Sequence, residues 1–370
     1  VESSAPLATY AYHCYCPVCH ESGALYNGRF FEEASSDACI SAAEREWDYR
    51  KNADLTSFWP RGDIPYGERT HVKDPLPKHG YTKWSQLFGS RQLLVLSQLL
   101  RAVVSLDDQD NSELHNYVLG AFQQYVRNQN MFCFWDMGYD KLVPHMSNNN
   151  YNPKLRPVEN AVFSKIGRGN WATQVDVLLR AIDWKSDPWE LVSNDWLSQH
   201  AKHLNDELKS KSSKVTPGDH VGAPAIVSCG SSTDLSALGN ASFDLVITDP
   251  PFGGILQYAE LADFFHVWLR LSRHYKSMPS SSAEVTPKAL ECVSNTARHD
   301  EPPAHYKRLL TACYKEASRI LKPGGILSFT FHHSEDKPWV DVLESVFDSG
   351  FFLEATYPIR SDETKGKGEF

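Results

Sequence analysis

The sequence predicts an α/β protein: a parallel, doubly wound sheet in the carboxy-terminal part, joined to a largely helical amino-terminal part. Three observations carry this. From Ala223 onward, short apolar runs alternate with segments of helical spacing, the pattern of successive βαβ units. Upstream, "RQLLVLSQLLRAVVSL" places apolar residues at helical intervals from Arg91 to Leu106. Between the two lies "KSKSSKVTPGDHVG", polar and punctuated by Pro217 and Gly218, which reads as a linker.

Taken in order, the elements read as follows. The first thirty residues carry the cysteine-rich "HCYCPVCHESG", and residues 31–50 predict a short polar helix. Lys51 to Gly89 is loop-rich, with Pro60, Pro65, Pro75 and Pro77. Helices follow over Arg91–Leu106 and over "SELHNYVLGAFQQYVRNQ". Met131 to Arg168 is asparagine-rich and irregular, and Trp171–Trp184 and Asp195–Leu208 read as further helices. Past the linker, "PAIVSCG" and "FDLVITD" are strands. Tyr258–Ser272 is a helix, and Tyr306–Leu321 another, with Tyr306, Leu309, Leu310, Cys313, Ala317 and Ile320 on one face. Gly324 or Gly325 is expected to cap it in the left-handed conformation. "ILSFTF" is a third strand, Pro338–Ser349 a helix stopped by Gly350, and "FFLEATYPI" a fourth strand.

The 370 residues allow two or three domains, and 41% hydrophobic with 22% charged residues is an ordinary globular composition. No apolar stretch reaches membrane-spanning length, and no signal-peptide pattern follows Val1. A net charge of −9 argues against a wholly basic surface but leaves room for a local basic groove. The eight cysteines form no secreted disulfide framework, so the expectation is a cytoplasmic protein. Cys133, Cys229, Cys292 and Cys313 are scattered singly and read as small buried hydrophobes.

The most informative stretch is "FDLVITDPPFGG", Phe243 to Gly254. The apolar run predicts a buried parallel strand. Pro250 and Pro251 end it and stiffen the turn, so Asp249 stands at a carboxyl-end strand edge, where open α/β sheets bind ligands. An exocyclic amine on a nucleobase is a poor nucleophile because its lone pair is delocalised into the ring. Asp249 and the carbonyl of Pro250 can accept its two N–H bonds and draw it toward a tetrahedral geometry. Phe252 offers a ring face for a flipped base, and the prolines fix the arrangement in advance.

"DPPF" resembles the Asp/Asn-Pro-Pro-aromatic motif of S-adenosylmethionine-dependent amino methyltransferases. The wider stretch "GSSTDLSALGNASFDLVITDPPFGGILQYAELADFFHVWLR", with "WSQLFGSRQLLVLSQLL", "GRGNW" and "RILKPGG", is similar to a group of adenine-specific DNA methylases described as containing a zinc ribbon. The resemblance covers most of the chain with gaps. It implies a partial class I (Rossmann-like) methyltransferase sheet with a helical insertion and a zinc-ribbon-like amino-terminal piece. Asp249, Pro250, Pro251 and Phe252 would be the catalytic motif, and Gly230, Ser231 and Ser232 would lie near the donor's adenine ring. It further implies DNA as partner, no membrane, and the company of restriction or defence components. Related patterns occur in enzymes that methylate guanine in ribosomal RNA or glutamine in proteins. The group's glycine-rich donor loop and ribose-binding acid lie upstream of its cysteine region. "KIGRGNW", with Gly167 and Gly169, reads as a loop turn instead, so the chain is expected to begin, and to end, inside a longer protein.

Cys16 and Cys19 form half of a zinc knuckle, which Cys14, His13, His20 or Cys39 could complete; the other reading is a decayed ribbon with free thiols. His332 and His333, at another strand end, either border the base pocket or are plain loop histidines. Arg270, Arg273, His274 and Lys276 either track a nucleic-acid backbone or complement a helix dipole. Glu260 and Asp263 are expected to face solvent, and Phe264, Phe265 and Trp268 to be core. The domain reading is 1–50 zinc-ribbon-like, 51–215 a mostly helical insertion serving target recognition, and 223–370 the second half of a catalytic domain. Two alternatives stay beside DNA methylation: a non-catalytic nucleic-acid-binding fragment lacking the donor site, and an RNA amino methyltransferase.

Overall fold

The computed structural model describes residues 8–34, 38–106, 112–147, 151–154, 156–163, 168–186, 189–191, 212–214, 226–272 and 283–358. The predicted helix at Asp195–Leu208, together with Gly167, Arg273, His274 and Lys276, lies outside them. The chain forms a mixed α/β structure with small sheets, and no helix among the described residues is long and apolar enough to cross a membrane. It divides into two compact units, residues 1–227 with 258–288, and residues 228–257 with 289–370.

The first unit opens on an antiparallel hairpin, β1 (Ala11–Tyr15) and β2 (Arg29–Glu33), with a short helix α1 (Pro17–Glu21) in its loop. The helix expected from residue 31 therefore starts later, as α2 (Ala38–Arg50), because residues 29–33 extend to pair with β1. α3 (Ser90–Ser105) buries Leu93, Leu96, Leu100 and Val103, a single face at helical spacing. α4 (Ser112–Arg127) adds Leu119, Phe122, Tyr125 and Val126 to the same core. The stretch read as irregular holds a small hairpin, β3 (Phe134–Asp136) and β4 (Lys141–Val143). Asp136 forms its turn by accepting the backbone N–H groups of Gly138 and Tyr139. α5 (Trp171–Ser186) starts at Asn170, whose Oδ1 accepts from Thr173 N at 2.9 Å. A short pair, β5 (Trp189–Leu191) and β6 (Ser212–Lys214), follows.

α6 (Tyr258–Leu269), the helix after the Asp-Pro-Pro-Phe motif, belongs to this unit. Phe264 and Trp268 are core, as expected, packed on Phe88 and Phe122. Glu260 and Asp263 are not solvent-facing: they are 3% and 1% exposed. Each is buried because it has partners. Glu260 accepts the backbone N–H groups of Glu68 and Arg69 at 3.1 and 2.7 Å, and Asp263 pairs with Lys288 and accepts from Thr286. Buried carboxylates persist where such donors satisfy them.

His145 sits in the same core, stacked on Phe132 and edge-on to Phe264. Neither ring nitrogen has a hydrogen-bond partner among the described residues. Burial pushes its pKa from 6.5 down to about 3, with Arg127 and Lys154 adding to the effect. Above pH 6.5 the ring is neutral in the folded and unfolded chain alike. As pH falls from there toward about 3, only the unfolded chain takes up the proton, so stability drops by about 1.4 kcal/mol per pH unit. His145→Leu is expected to flatten that part of the slope in urea unfolding measured between pH 4 and 7. An unchanged slope would mean the histidine does not govern it.

The second unit holds β7 (Phe243–Thr248) and β8 (Leu321–Phe329), paired in parallel, with Leu245 opposite Ile326 and Thr248 opposite Phe329. α7 (Pro302–Ile320) starts on two prolines, whose missing N–H groups are unneeded in a first turn. Tyr306, Leu310 and Tyr314 pack with Val342 and Val346 of α8 (Asp336–Phe347) to make the core. α8 ends at Phe347, before the expected stop at Gly350, which lies in the left-handed region at φ +87°. Gly324 does not cap α7. The helix ends at Ile320, and β8 begins at once, with Gly324 at φ +79° where the register against β7 shifts. Gly325 is needed for close approach: a Cβ there would stand 2.9 Å from the Lys322 carbonyl oxygen.

Two of the four expected strands do not form among the described residues. Among the described residues neither 226–229 nor 351–358 pairs with another strand, and Ile226 and Val227 are 92% and 94% exposed. An extended segment without a ladder partner has no hydrogen bonds to hold it as a strand. Nor is β7 buried as predicted. With β8 its one strand partner among the described residues, Leu245 and Ile247 remain exposed, Ile247 at 74%.

Candidate functional site

Asp249 directly follows β7, in the second unit, as the sequence predicts. The parallel register brings the end of β8 alongside, and Thr330, one residue past that strand, donates its hydroxyl to Asp249 Oδ1. Thr330 N also donates to the Thr248 carbonyl, at 3.3 Å. One carboxylate oxygen is thereby oriented by a neighbouring strand, and Oδ2 is left to accept from a ligand.

The turn after Asp249 is braced from behind. Tyr306, buried in α7, donates its hydroxyl to the Pro251 carbonyl at 2.7 Å, and burial raises its phenol well above the ordinary range. Ser294 N donates to the Gly253 carbonyl at 3.1 Å. Gln257 donates to the Ser294 carbonyl and accepts from Asn295, both residues being buried. Gly253 lies at φ +64°, and a Cβ on Gly254 would stand 2.8 Å from the Ser294 carbonyl oxygen. Both glycines therefore serve the shape of the turn. The Pro250 carbonyl, on a buried residue next to Asp249, accepts no hydrogen bond among the described residues.

Aromatic rings follow in the chain on both segments, Phe252 after Asp249 and Phe331 after Thr330. Phe252 meets Phe331 edge-to-face at 5.3 Å, and Phe331 meets Trp339 at 4.9 Å. Of the two histidines at this strand end, His332 is exposed and His333 half-buried, and Trp339 Nε1 donates to the His333 carbonyl at 3.0 Å.

Gly230, Ser231 and Ser232 form a separate turn. Ser231 bonds with Thr233 at 2.7 Å, and the Leu235 N–H is held by Glu316 of α7. A Cβ on Gly230 would meet nothing within 4 Å. The turn is open on the Gly230 side, with the hydroxyls of Ser231 and Thr233 bonded to each other. Cys229, just before them, is exposed and not the buried hydrophobe expected, since the segment has no sheet to pack into.

Cys16 and Cys19 are close. Cys19 N donates to Cys16 Sγ at 3.4 Å, and that backbone bond lowers the Cys16 thiol pKa. Gly28, at φ +75°, lets β2 lie directly against this turn, since a Cβ there would stand 2.3 Å from the Cys16 carbonyl oxygen. Two thiols do not make a tetrahedral zinc site, and among the described residues no group of three or more His, Cys, Asp or Glu side chains converges on one point. Cys14 instead points its thiol at Glu32, and His20 Nδ1 bonds with the Asn27 carbonyl. The Cys39 side chain lies outside the described residues. The described ligands alone are too few for a closed zinc centre.

Thr330, Tyr306 and Ser294 are site residues that sequence reading passes over. Thr330 had a usable signal, a polar residue closing an apolar strand predicted to run parallel to β7. Tyr306 had none, because its helical spacing marks it as core, which it also is. No family model matches the chain, and no curated protein or solved structure matches it either.

Proposed function

We propose that the second unit acts on the exocyclic amine of a nucleobase, as the acceptor side of an S-adenosylmethionine-dependent methyl transfer to DNA, with adenine the favoured base. The observation that carries this is the Asp249 carboxylate, fixed at a strand end by Thr330, beside an unengaged Pro250 carbonyl and the Phe252 ring. Two acceptors on a rigid turn suit two N–H donors on one nitrogen, and positioning of this kind lowers a barrier without covalent help. The donor of this class supplies an electrophilic methyl group. The chain's own residues orient the amine lone pair, and the carboxylate can receive the proton that leaves nitrogen. Restriction or defence partners belong to the same proposal.

The test is transfer of labelled methyl from S-adenosylmethionine to duplex DNA, with structured RNA in competition. Label in DNA adenine supports the reading; label only in RNA moves it to the RNA alternative; none in either rejects it. Thr330→Val keeps the shape and removes the hydroxyl. It is expected to slow transfer roughly tenfold, matching about 1–1.5 kcal/mol for one lost hydrogen bond, with little effect on Tm. An unchanged rate would remove Thr330 from the account.

The open turn at Gly230 and the exposed apolar side chains of β7 favour a second reading, a nucleic-acid-binding protein without its own donor site. Calorimetric titration of S-adenosylmethionine separates the two. Micromolar binding supports the enzyme, and no binding by the folded chain supports the binding protein.

A further inference from the structure

We propose that His333 donates a hydrogen bond to the ring nitrogen next to the amine held by Asp249, and so selects the base. This rests on the amine-directed reading given above. The argument is one of tautomer and place. Glu335 N donates to His333 Nδ1 at 3.0 Å. A ring nitrogen that accepts a hydrogen bond carries no proton, so the neutral imidazole bears its hydrogen on Nε2. Nε2 is 4.0 Å from where a Cβ on Gly253 would stand, beside the residue that follows Phe252. It has no hydrogen-bond partner among the described residues.

The ring is also held in place. The His333 carbonyl is fixed by Trp339 Nε1, and Trp339 packs on Phe331, which packs on Phe252. Thr330, three residues earlier on the same segment, fixes Asp249. One strand end therefore supplies a fixed acceptor through Asp249 and a fixed donor through His333.

Adenine and cytosine present, on their Watson–Crick edge, an amine beside an unprotonated ring nitrogen. Guanine presents N1–H beside its amine on that edge, so two donors would face each other. Donor and acceptor arranged as here match the adenine and cytosine pattern.

The test is methyl transfer to an oligonucleotide whose single target is adenine, or 1-deazaadenine, in which C–H replaces the ring nitrogen. The wild-type chain is expected to lose roughly 10- to 100-fold in kcat/KM on the deaza base, the cost of leaving a donor that the bound base covers without an acceptor. His333→Phe keeps a ring at this position without the donor and is expected to use both bases equally. His333→Gln, which returns an N–H near the Nε2 position, is expected to restore part of the difference. If the wild type uses both bases equally, or His333→Phe discriminates as strongly as wild type, the inference is overturned while methyl transfer stands. If the wild type methylates neither adenine nor cytosine, the amine-directed reading fails, and the inference with it.

Discussion

Asp249→Ala is expected to reduce methyl transfer by about 10²–10⁴-fold, the range typical for removing a positioned acid–base group, while leaving the fold intact. The two halves of that expectation have separate causes. Asp249 is exposed and its described side-chain bond is the one from Thr330. Losing it costs about 1 kcal/mol, well short of unfolding a unit whose core lies elsewhere, around Tyr306, Leu310, Tyr314, Val342 and Val346. The rate loss comes from the amine, which without a carboxylate keeps its lone pair in the ring and has no fixed place for its proton. Asp249→Asn is a sharper control. It keeps the size and one acceptor oxygen, which can still face the amine, but removes the charge that takes up the proton, so it should be slower than wild type and faster than the alanine variant. Single-turnover transfer with labelled donor, run beside thermal unfolding, reads both effects. A variant that keeps its activity removes Asp249 from the mechanism, and one that loses activity together with its fold leaves the carboxylate a structural part.

The largest stability effect is expected at Glu260. Glu260→Ala should cost about 3–5 kcal/mol, the range for removing one partner from a buried charge-assisted set. Its carboxylate satisfies the N–H groups of Glu68 and Arg69 at the start of a π-helical turn, Glu68–Val72. The approach is close enough that a Cβ on Gly67 would stand 2.7 Å from the carboxyl carbon. Alanine would leave one buried and one part-buried backbone donor beside a void. Glu260→Gln retains one acceptor oxygen and should lose roughly 1–3 kcal/mol. Urea unfolding followed by tryptophan fluorescence reports on this unit, since Trp339 is the single tryptophan between residues 289 and 370. A shift below about 0.5 kcal/mol, the size of an ordinary surface substitution, would show that water reaches those N–H groups.

Glu260 also shows where the sequence stops being readable. Its place on α6 follows from local spacing, and so do the helices α3, α4, α7 and α8. The parallel pairing of β7 with β8 follows from alternation and from the motif's position. What Glu260 touches does not follow: its partner Glu68 is 192 residues away in the chain, and a carboxylate on a helix surface reads as solvated until that partner is known. Thr330 and Asp249 are 81 residues apart, and Tyr306 and Pro251 are 55 apart, so the brace around the motif was illegible for the same reason. The strand expected at "PAIVSCG" failed for a different one. Alternation and β-branched residues describe a segment that would suit a sheet, but they do not supply the neighbour that makes it one.

The pairing of β7 with β8 has a kinetic consequence. About 70 residues separate Thr248 from Leu321, and at roughly 5–20 residues per second of synthesis β7 leaves the ribosome several seconds before its partner. During that interval Leu245, Val246 and Ile247 form a bare apolar strand with both edges unpaired, the kind of segment that invites wrong partners. Residues 258–288 belong to the other unit and can settle there meanwhile. The yield of active protein should therefore depend on how fast the chain is made and on what shields that strand until Leu321 arrives.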